Sequence, residues 1–199
     1  WRYIMLRLNV YKTHPDVVAP DFATKQSACF DLAFSALGKY EYTGYNRQNK
    51  AFSRKIRPDG SIHVMPGDRV MVPTGLILDI PEGYSVRIHP RSGLSLKQGL
   101  VLANAEGVID SDYTQELFLL LTNFSENGID INHGDRVAQG ELVEKLTYAI
   151  YESEDKPGQK TDRVGGMGST GVVVIKTDPL ETIEAPVKRG RGRPRKVTQ

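Results

Sequence analysis

Ile4, Leu6, Leu8 and Val10 alternate with charged or polar positions, the period of two that marks a half-buried strand. A turn-rich stretch, THPDVVAPDFATKQS, follows, and then ACFDLAFSAL at 28–37, which is short, apolar and β-like. Residues 38–61 break the pattern. They are polar and dotted with aromatics, and they hold six basic residues (Lys39, Arg47, Lys50, Arg54, Lys55, Arg57) against Glu41 and Asp59. The segment is expected to be a loop or β-arm inserted between core strands, with a solvated excursion as the plainer reading. Strands resume at SIHVM, RVMVPTGLILDI and YSVRIHP, divided by the turns PGD at 66–68 and PEG at 81–83. RSGLSLKQGL can begin one short helix. VLANAEGVIDSDY reads as a strand, a hairpin and a return strand, and ELFLLLTNF is the most apolar strand. After the turn SENG, IDINHGDRVAQGELV supplies one or two more. Short strands at close intervals, joined by Pro/Gly turns, predict an all-β sandwich or barrel. The expected divisions are a β core over 1–151, a polar, Gly-rich mobile arm over 152–174 and a disordered tail over 175–199.

Composition agrees and narrows the class. Nineteen Gly and eleven Pro in 199 residues exclude a helix bundle. No apolar run approaches the roughly 18 residues of a membrane-spanning helix, and the N-terminus has no apolar stretch long enough for a secretory signal. The missing initiator Met leads to the expectation of a processed or trimmed chain. A lone cysteine, Cys29, cannot form an internal disulfide or a cysteine-rich zinc site, so a reducing, intracellular compartment is expected. That means the cytoplasm, the host cytoplasm for a virus or phage, or the nucleus for a eukaryote. The net charge of +2 conceals an asymmetry. Residues 185–199 carry six basic residues and no acidic one; without them 20 basic residues face 24 acidic ones, a net −4. A mildly acidic body carries an electrostatic appendage.

Four segments carry candidate chemistry. In PRSGLSLKQG at 90–99, Pro90 sets an extended entry, Arg91 supplies a planar cation, and Ser92 and Gly93 open the helix, where free N–H groups suit a phosphate. A capped helix with a surface Arg is the plainer reading of the segment alone. In NAEGVIDSDYTQE at 104–116, Asp110 and Asp112 are spaced to share a strand face, so that one carboxylate can orient a water. Asn104 offers donor and acceptor to a base edge, and Tyr113 a flat ring to a sugar; turn carboxylates, a capping Asn and a core Tyr are the plainer reading. RVGGMGSTG at 163–171 can wrap N–H and hydroxyl groups around phosphates but lacks the Walker A spacing, and a flexible linker has the same composition. In GDRVAQ at 134–139, Arg136 and Gln139 are polar groups on an apolar strand, an arrangement that is more often structural.

Taken together and in order, these segments resemble the trimeric dUTPase family. ACFDL at 28–32, PRSGL at 90–94, NAEGVIDSDY at 104–113, GDRVAQ at 134–139 and GGMGSTG at 165–171 carry the resemblance, over roughly residues 4–174. It implies a β-jelly-roll protomer, a homotrimer with active sites shared between subunits, and Mg²⁺-dependent hydrolysis of dUTP to dUMP and pyrophosphate. Such a reaction keeps uracil out of DNA and supplies dUMP. On this resemblance Asp110 activates the water that attacks the α-phosphorus, and Asp31 holds Mg²⁺ through water. Arg91, Ser92, Gly93 and Gln139 meet phosphates. Asn104, Gly107, Val108, Ile109 and Phe118 form the uracil pocket, and Tyr113 packs under deoxyribose. Arg163, Met167, Gly168, Ser169 and Thr170 belong to an arm that closes over the triphosphate.

Several positions depart from the family pattern. Cys29 stands where Gly is usual, and Gly140-Glu141 where apolar residues are commoner. Thr114 and Gln115 replace Arg/Gln-Gly, and Arg163 is one residue nearer the glycines. Met167 replaces a Phe that stacks over uracil; Met lacks the planar face, which predicts a raised KM that Met167→Phe would lower. The tail KRGRGRPRK at 188–196 resembles an AT-hook centred on Arg191, Gly192, Arg193 and Pro194, which implies A·T-rich DNA as a partner through the minor groove. A bare basic tail or an import signal looks similar. Two other readings stand beside the hydrolase: dCTP deaminase, which shares the fold but not these motif forms, and a nucleotide-sensing or DNA-tethered regulatory protein on the same scaffold.

Overall fold

RVMVP at 69–73 shows how the alternation becomes burial: Val70 and Val72 are buried, while Arg69 and Met71 face outward. The structure, a computed structural model, describes residues 6–162. The first strands are β1 (Asn9–Lys12), β2 (Asp21–Phe22), β3 (Phe30–Ala33), β4 (Glu41–Tyr45) and β5 (Ala51–Lys55). Next come β6 (Ile62–Val64), β7 (Arg69–Pro73), β8 (Leu76–Asp79), β9 (Tyr84–Pro90) and the helix α1 (Ser92–Gln98). The last are β10 (Leu100–Leu102), β11 (Gly107–Asp110), β12 (Phe118–Asn123), β13 (Ile129–Ile131) and β14 (Arg136–Glu144). All of these lie within the unit 1–149. In the second unit, residues 150–162 carry no strand or helix.

The all-β expectation is borne out. One five-stranded sheet has the order β10-β12-β7-β4-β5 and the other β11-β9-β14-β3-β2, every pairing antiparallel, with β1-β8 and β13-β6 as smaller ribbons. A single apolar core draws on both large sheets: Phe30, Leu32, Val86 and Ile88 from one, Val70, Val72, Leu119 and Leu121 from the other. Burying each such side chain contributes about 1.5–3 kcal/mol, so the core outweighs any surface ion pair described below. Asn123 is fully buried but satisfied: its amide donates to the carbonyls of Val64 and Asn127, and its oxygen accepts from Ser125. That network shapes the turn SENG.

Residues 38–61, expected as a loop or β-arm, are not a solvated excursion. They form the β4–β5 hairpin, which extends a main sheet through β7. Tyr42 is buried, with its hydroxyl donating to the His63 carbonyl at 2.6 Å, and Arg54 reaches the buried Asp68 at 2.6 Å. Arg54 also lies over the Phe52 ring at 3.8 Å, which stacks a cation on an aromatic face. In β14 the register to β3 slips between Arg136 and Ala138. This bulge buries Val137 and Ala138 in succession, and Arg136 comes out on the face that carries Gln139 and Glu141.

Candidate active site

The β3–β14–β9 face shows how strand register builds a site. Asp31, Gln139 and His89 lie in one row across the three strands. Because of the bulge, Arg136 reaches Asp31 Oδ2 at 2.8 Å, and Arg91 Nε meets Oδ1 at 3.1 Å. Arg91 Nη1 donates to the Arg136 carbonyl at 2.8 Å. The guanidinium is thereby fixed in place, with the rest of its five donors still to spend. Gln139 donates its amide to the Pro90 carbonyl at 2.9 Å, which ties β14 to the turn that leads into α1. In this chain, then, Gln139 positions the turn.

Arg91 is the N-cap residue of α1, with extended backbone and no side-chain cap hydrogen bond. Ser92 and Gly93 therefore present the first amides of the helix without an internal acceptor. The carbonyl of Arg91 accepts instead from Ser95, through both amide and hydroxyl. A Cβ at Gly93 would meet no atom within 4 Å, so glycine is not required there for internal packing. Its bareness matters only to something that approaches from outside. Asp31, Arg91, Ser92, Gly93 and Gln139 line a common cleft of 570 Å³, with Cys29 and Lys97 on its wall. Burial, and then nearby Glu141, push the Cys29 thiol above its ordinary value.

A second cleft, of 450 Å³, is built on the hairpin. Ala105 turns the chain in the left-handed region at φ 61°, and Leu102 and Asn104 accept hydrogen bonds from Ala105 and Glu106. β11 returns along β9 with Val108 opposite Arg87 and Asp110 opposite Ser85. It is the edge strand of its sheet, so its other side has no strand partner among the described residues. Asp110 ends β11 exposed, and its carbonyl accepts from the Tyr113 amide at 3.1 Å. Asp112 consequently lies in a turn and not on a strand face, although both carboxylates line the cleft. The Tyr113 hydroxyl donates to the Glu116 carbonyl at 2.9 Å, which holds the ring against the hairpin. Glu116 in turn accepts from the Gly75 amide and pairs with Lys39, whose ammonium lies 5.7 Å from the Phe118 ring centre. Lys39, at the root of the β4–β5 hairpin, thus braces the cleft, a role its sequence context gave no sign of.

The structure brings Asn104, Gly107, Val108, Ile109, Asp110, Tyr113 and Phe118 together in one cleft and Asp31, Arg91, Ser92, Gly93 and Gln139 in another. The two sets of lining residues share no member. Arg163, Met167, Gly168, Ser169 and Thr170, and Arg191, Gly192, Arg193 and Pro194 of the tail, lie outside the described residues.

Comparison with known proteins supplies the frame for these clefts. A family model described as dUTPase matches residues 56–171. The deoxyuridine 5'-triphosphate nucleotidohydrolase of Caulobacter vibrioides is 35% identical over 170 residues, spanning 85% of this chain and 96% of that one. The protein of the same description from Roseobacter denitrificans is 43% identical over 114 residues, 57% of this chain and 74% of that one. Among solved structures, a mutant dUTPase of Staphylococcus bacteriophage 80alpha with dUpNHpp matches with TM-score 0.64 and 22% identity, over 83% of this chain and 99% of that one. A mutant dUTPase from phage phi11 of S. aureus, described for its coordination of a structural Mg(II) ion, matches with TM-score 0.58 and 22% identity, over 75% and 98%. At these identities the two solved structures speak for the fold.

Proposed function

The chain belongs to the dUTPase family, and on that premise we propose that it hydrolyses dUTP to dUMP and pyrophosphate in sites shared between copies of itself. The observation that carries the reading is the division of labour between two clefts that have no lining residue in common. One has an open strand edge, a fixed ring and an exposed carboxylate; the other has a held guanidinium and uncapped helix amides. A nucleoside triphosphate needs both kinds of partner. The division supports a homotrimer, in which the hairpin of one subunit meets the phosphate turn of the next.

The main-chain N–H and C=O groups of the β11 edge pair with uracil as a neighbouring strand would, aided by Asn104, and reject cytosine through donor/acceptor mismatch. Tyr113 lies under deoxyribose and leaves no room for a 2′-hydroxyl. Arg91 and the amides of Ser92 and Gly93 take the phosphate charge as it redistributes, in a reaction whose catalysis is mostly positioning and charge stabilisation. Asp110 accepts the proton of the water that attacks the α-phosphorus. Arg163, Met167, Gly168, Ser169 and Thr170 are assigned to a closing arm on their motif alone. Among the described residues, Asp31 is the sole carboxylate lining the cationic cleft, and both its oxygens are held by arginines. Such a group cannot form an all-protein magnesium cage, but it suits an ion that keeps its waters and is held chiefly by substrate phosphates. The residues therefore fit Mg²⁺ with Asp31 holding it through water. When bound, the ion neutralises phosphate charge.

The basic tail is proposed to hold A·T-rich DNA in the minor groove, with the enzyme tethered behind it. Equal affinity for A·T-rich and G·C-rich duplexes in moderate salt would remove that part of the proposal. The enzymatic part is tested by pyrophosphate release from dUTP against dCTP, dTTP and UTP. Release should be dUTP-selective and require Mg²⁺, and Asp110→Asn should slow it by about 10²–10⁴-fold. If dUTP binds without turnover in the intact chain, the hydrolase reading fails.

A further inference from the structure

Three side chains that the proposed hydrolysis does not use converge on one outer face. Cys29 precedes β3 by one residue, His89 lies in β9 and Glu141 in β14. β14 runs between the other two strands, with Gly140 opposite Phe30 on one side and Gln139 opposite His89 on the other. Side chains two residues apart in a strand share a face, so Glu141 stands beside Cys29 and diagonal to His89. Gly140 makes the arrangement possible from below, since a Cβ there would fall 2.5 Å from the Phe30 ring. The Cys29 sulfur, a His89 ring nitrogen and a Glu141 oxygen lie within 4.8 Å of one another.

A second observation points to a ligand. His89 Nε2 is buried and has no aligned hydrogen-bond partner among the described residues, although Glu141 Oε2 is 3.5 Å away. The His89 side chain is 29% exposed, so this nitrogen can be reached from outside while a partner there would satisfy it. The other ring nitrogen, Nδ1, faces Glu106 Oε1 at 3.7 Å, and Arg87 steadies that carboxylate at 3.5 Å.

We propose that Cys29, His89 and Glu141 form a three-ligand site for a divalent transition metal, Zn²⁺ foremost, with a fourth position left for water. Thiolate, imidazole and carboxylate are the donors Zn²⁺ takes, and atoms within 4.8 Å of one another are near enough to close around one small ion by side-chain rotation. Mg²⁺ is excluded as the occupant because sulfur and imidazole are poor partners for a hard cation. Glu106 is the positioning residue, acting on His89 Nδ1 across an ion-pair separation of 3.7 Å. Two of the three ligands, Cys29 and Glu141, are positions at which the sequence departs from the family pattern. None of the three is assigned a part in the hydrolysis, but the site adjoins the phosphate cleft, whose wall Cys29 shares. An ion there ties the entry to β3, β14 and β9 together, with His89 in the same row as Asp31 and Gln139.

The test is a Co²⁺ titration of the full, untagged chain in excess Mg²⁺. The expected result is one ion per chain, a thiolate-to-cobalt charge-transfer band, visible absorption of four-coordinate intensity, and displacement by Zn²⁺. Cys29→Ser should abolish the band, and His89→Ala and Glu141→Gln should each weaken binding at least about tenfold, with Glu106→Gln costing about tenfold. His63→Ala should leave the titration unchanged. As Cys29 is the only cysteine, Zn²⁺ should also slow its alkylation in the intact chain but not in His89→Ala. Absence of the thiolate band in the intact chain would overturn the proposal, as would a band or a protection that survives both His89→Ala and Glu141→Gln.

Discussion

The hairpin cleft and the phosphate cleft are made from opposite materials. The first is written in main chain: a four-residue edge strand offers its backbone, and its side chains chiefly brace it. The second is written in side chains: Asp31, Arg91 and Arg136 hold one another through three contacts of 2.8–3.1 Å, and Gln139 holds the Pro90 carbonyl at 2.9 Å, before any ligand arrives. A base presents a fixed pattern of donors and acceptors, which a strand edge can match. A triphosphate presents diffuse negative charge, which needs cations held still. The physical demands of the two ends of a nucleotide explain why one chain keeps two such different surfaces.

The strongest way to break this comparison is to divide it between subunits. Asp110→Asn and Arg91→Ala should each be nearly inactive alone, since one lacks the base and the other the phosphate cation. Co-refolded as a mixture, they should recover a measurable fraction of the wild-type rate, because some sites then combine an intact hairpin with an intact turn. A mixture as inactive as its parents would place both halves of a site within one chain. Gly93→Ala sharpens the phosphate side. The new methyl meets nothing inside the protein, so the helix should gain about 0.5–1 kcal/mol of stability. The KM for dUTP should meanwhile rise about tenfold, the equivalent of weakening one charge-assisted hydrogen bond. Thermal melting and steady-state kinetics on one preparation would show whether the two effects part company.

Smaller effects are expected from Tyr113→Phe on the hairpin side. It removes the hydrogen bond to the Glu116 carbonyl, worth about 0.5–1.5 kcal/mol, but keeps the ring. Discrimination against UTP should survive with a modest loss of kcat/KM; UTP hydrolysis at a comparable rate would show that the hydroxyl, not the ring, excludes the ribose. The smallest effect lies outside both clefts. His63, and then Arg57, hold the Asp130 carboxyl below its usual range. A depressed folded value stabilises the protein above the unfolded value near about pH 3.9 and is lost as pH falls through the folded one. Asp130→Asn should therefore flatten only the acid limb of stability, by less than about 1 kcal/mol for so exposed a group, and leave dUTP kinetics untouched.

Most strands were legible because alternation is a local signal. Val70 and Val72, or Ile62 and Val64 on either side of His63, declare their inward face within five residues. The β4–β5 hairpin could be expected only as a loop or a β-arm, because the six basic residues of 38–61 outweighed Tyr42 and Phe52 in the composition. Alternation of Tyr42 with Glu41 and Thr43 was the available clue. The bulge in β14 left a faint trace as the adjacent apolar pair Val137 and Ala138, inside a strand otherwise of mixed polarity. The Asp110–Asp112 spacing misled, because the chain turns immediately after Asp110 and period-two logic stops there. Cys29, His89 and Glu141 could not be associated in advance. They are far apart in sequence, and only the register of three strands brings them to one place.

The open edge of β11 has a consequence for how such a protein tolerates mutation over generations. Specificity read from main-chain groups is stored in register, not in residue identity. On the proposed pairing with uracil, substitutions at Val108 or Ile109 that keep the strand leave every donor and acceptor where it was, so the gene can drift there while its discrimination stays fixed. A single codon inserted or deleted between Asn104 and Gly107 shifts the whole ladder against β9 and erases the match at once. The heritable weak point of base selection is therefore the length of that loop.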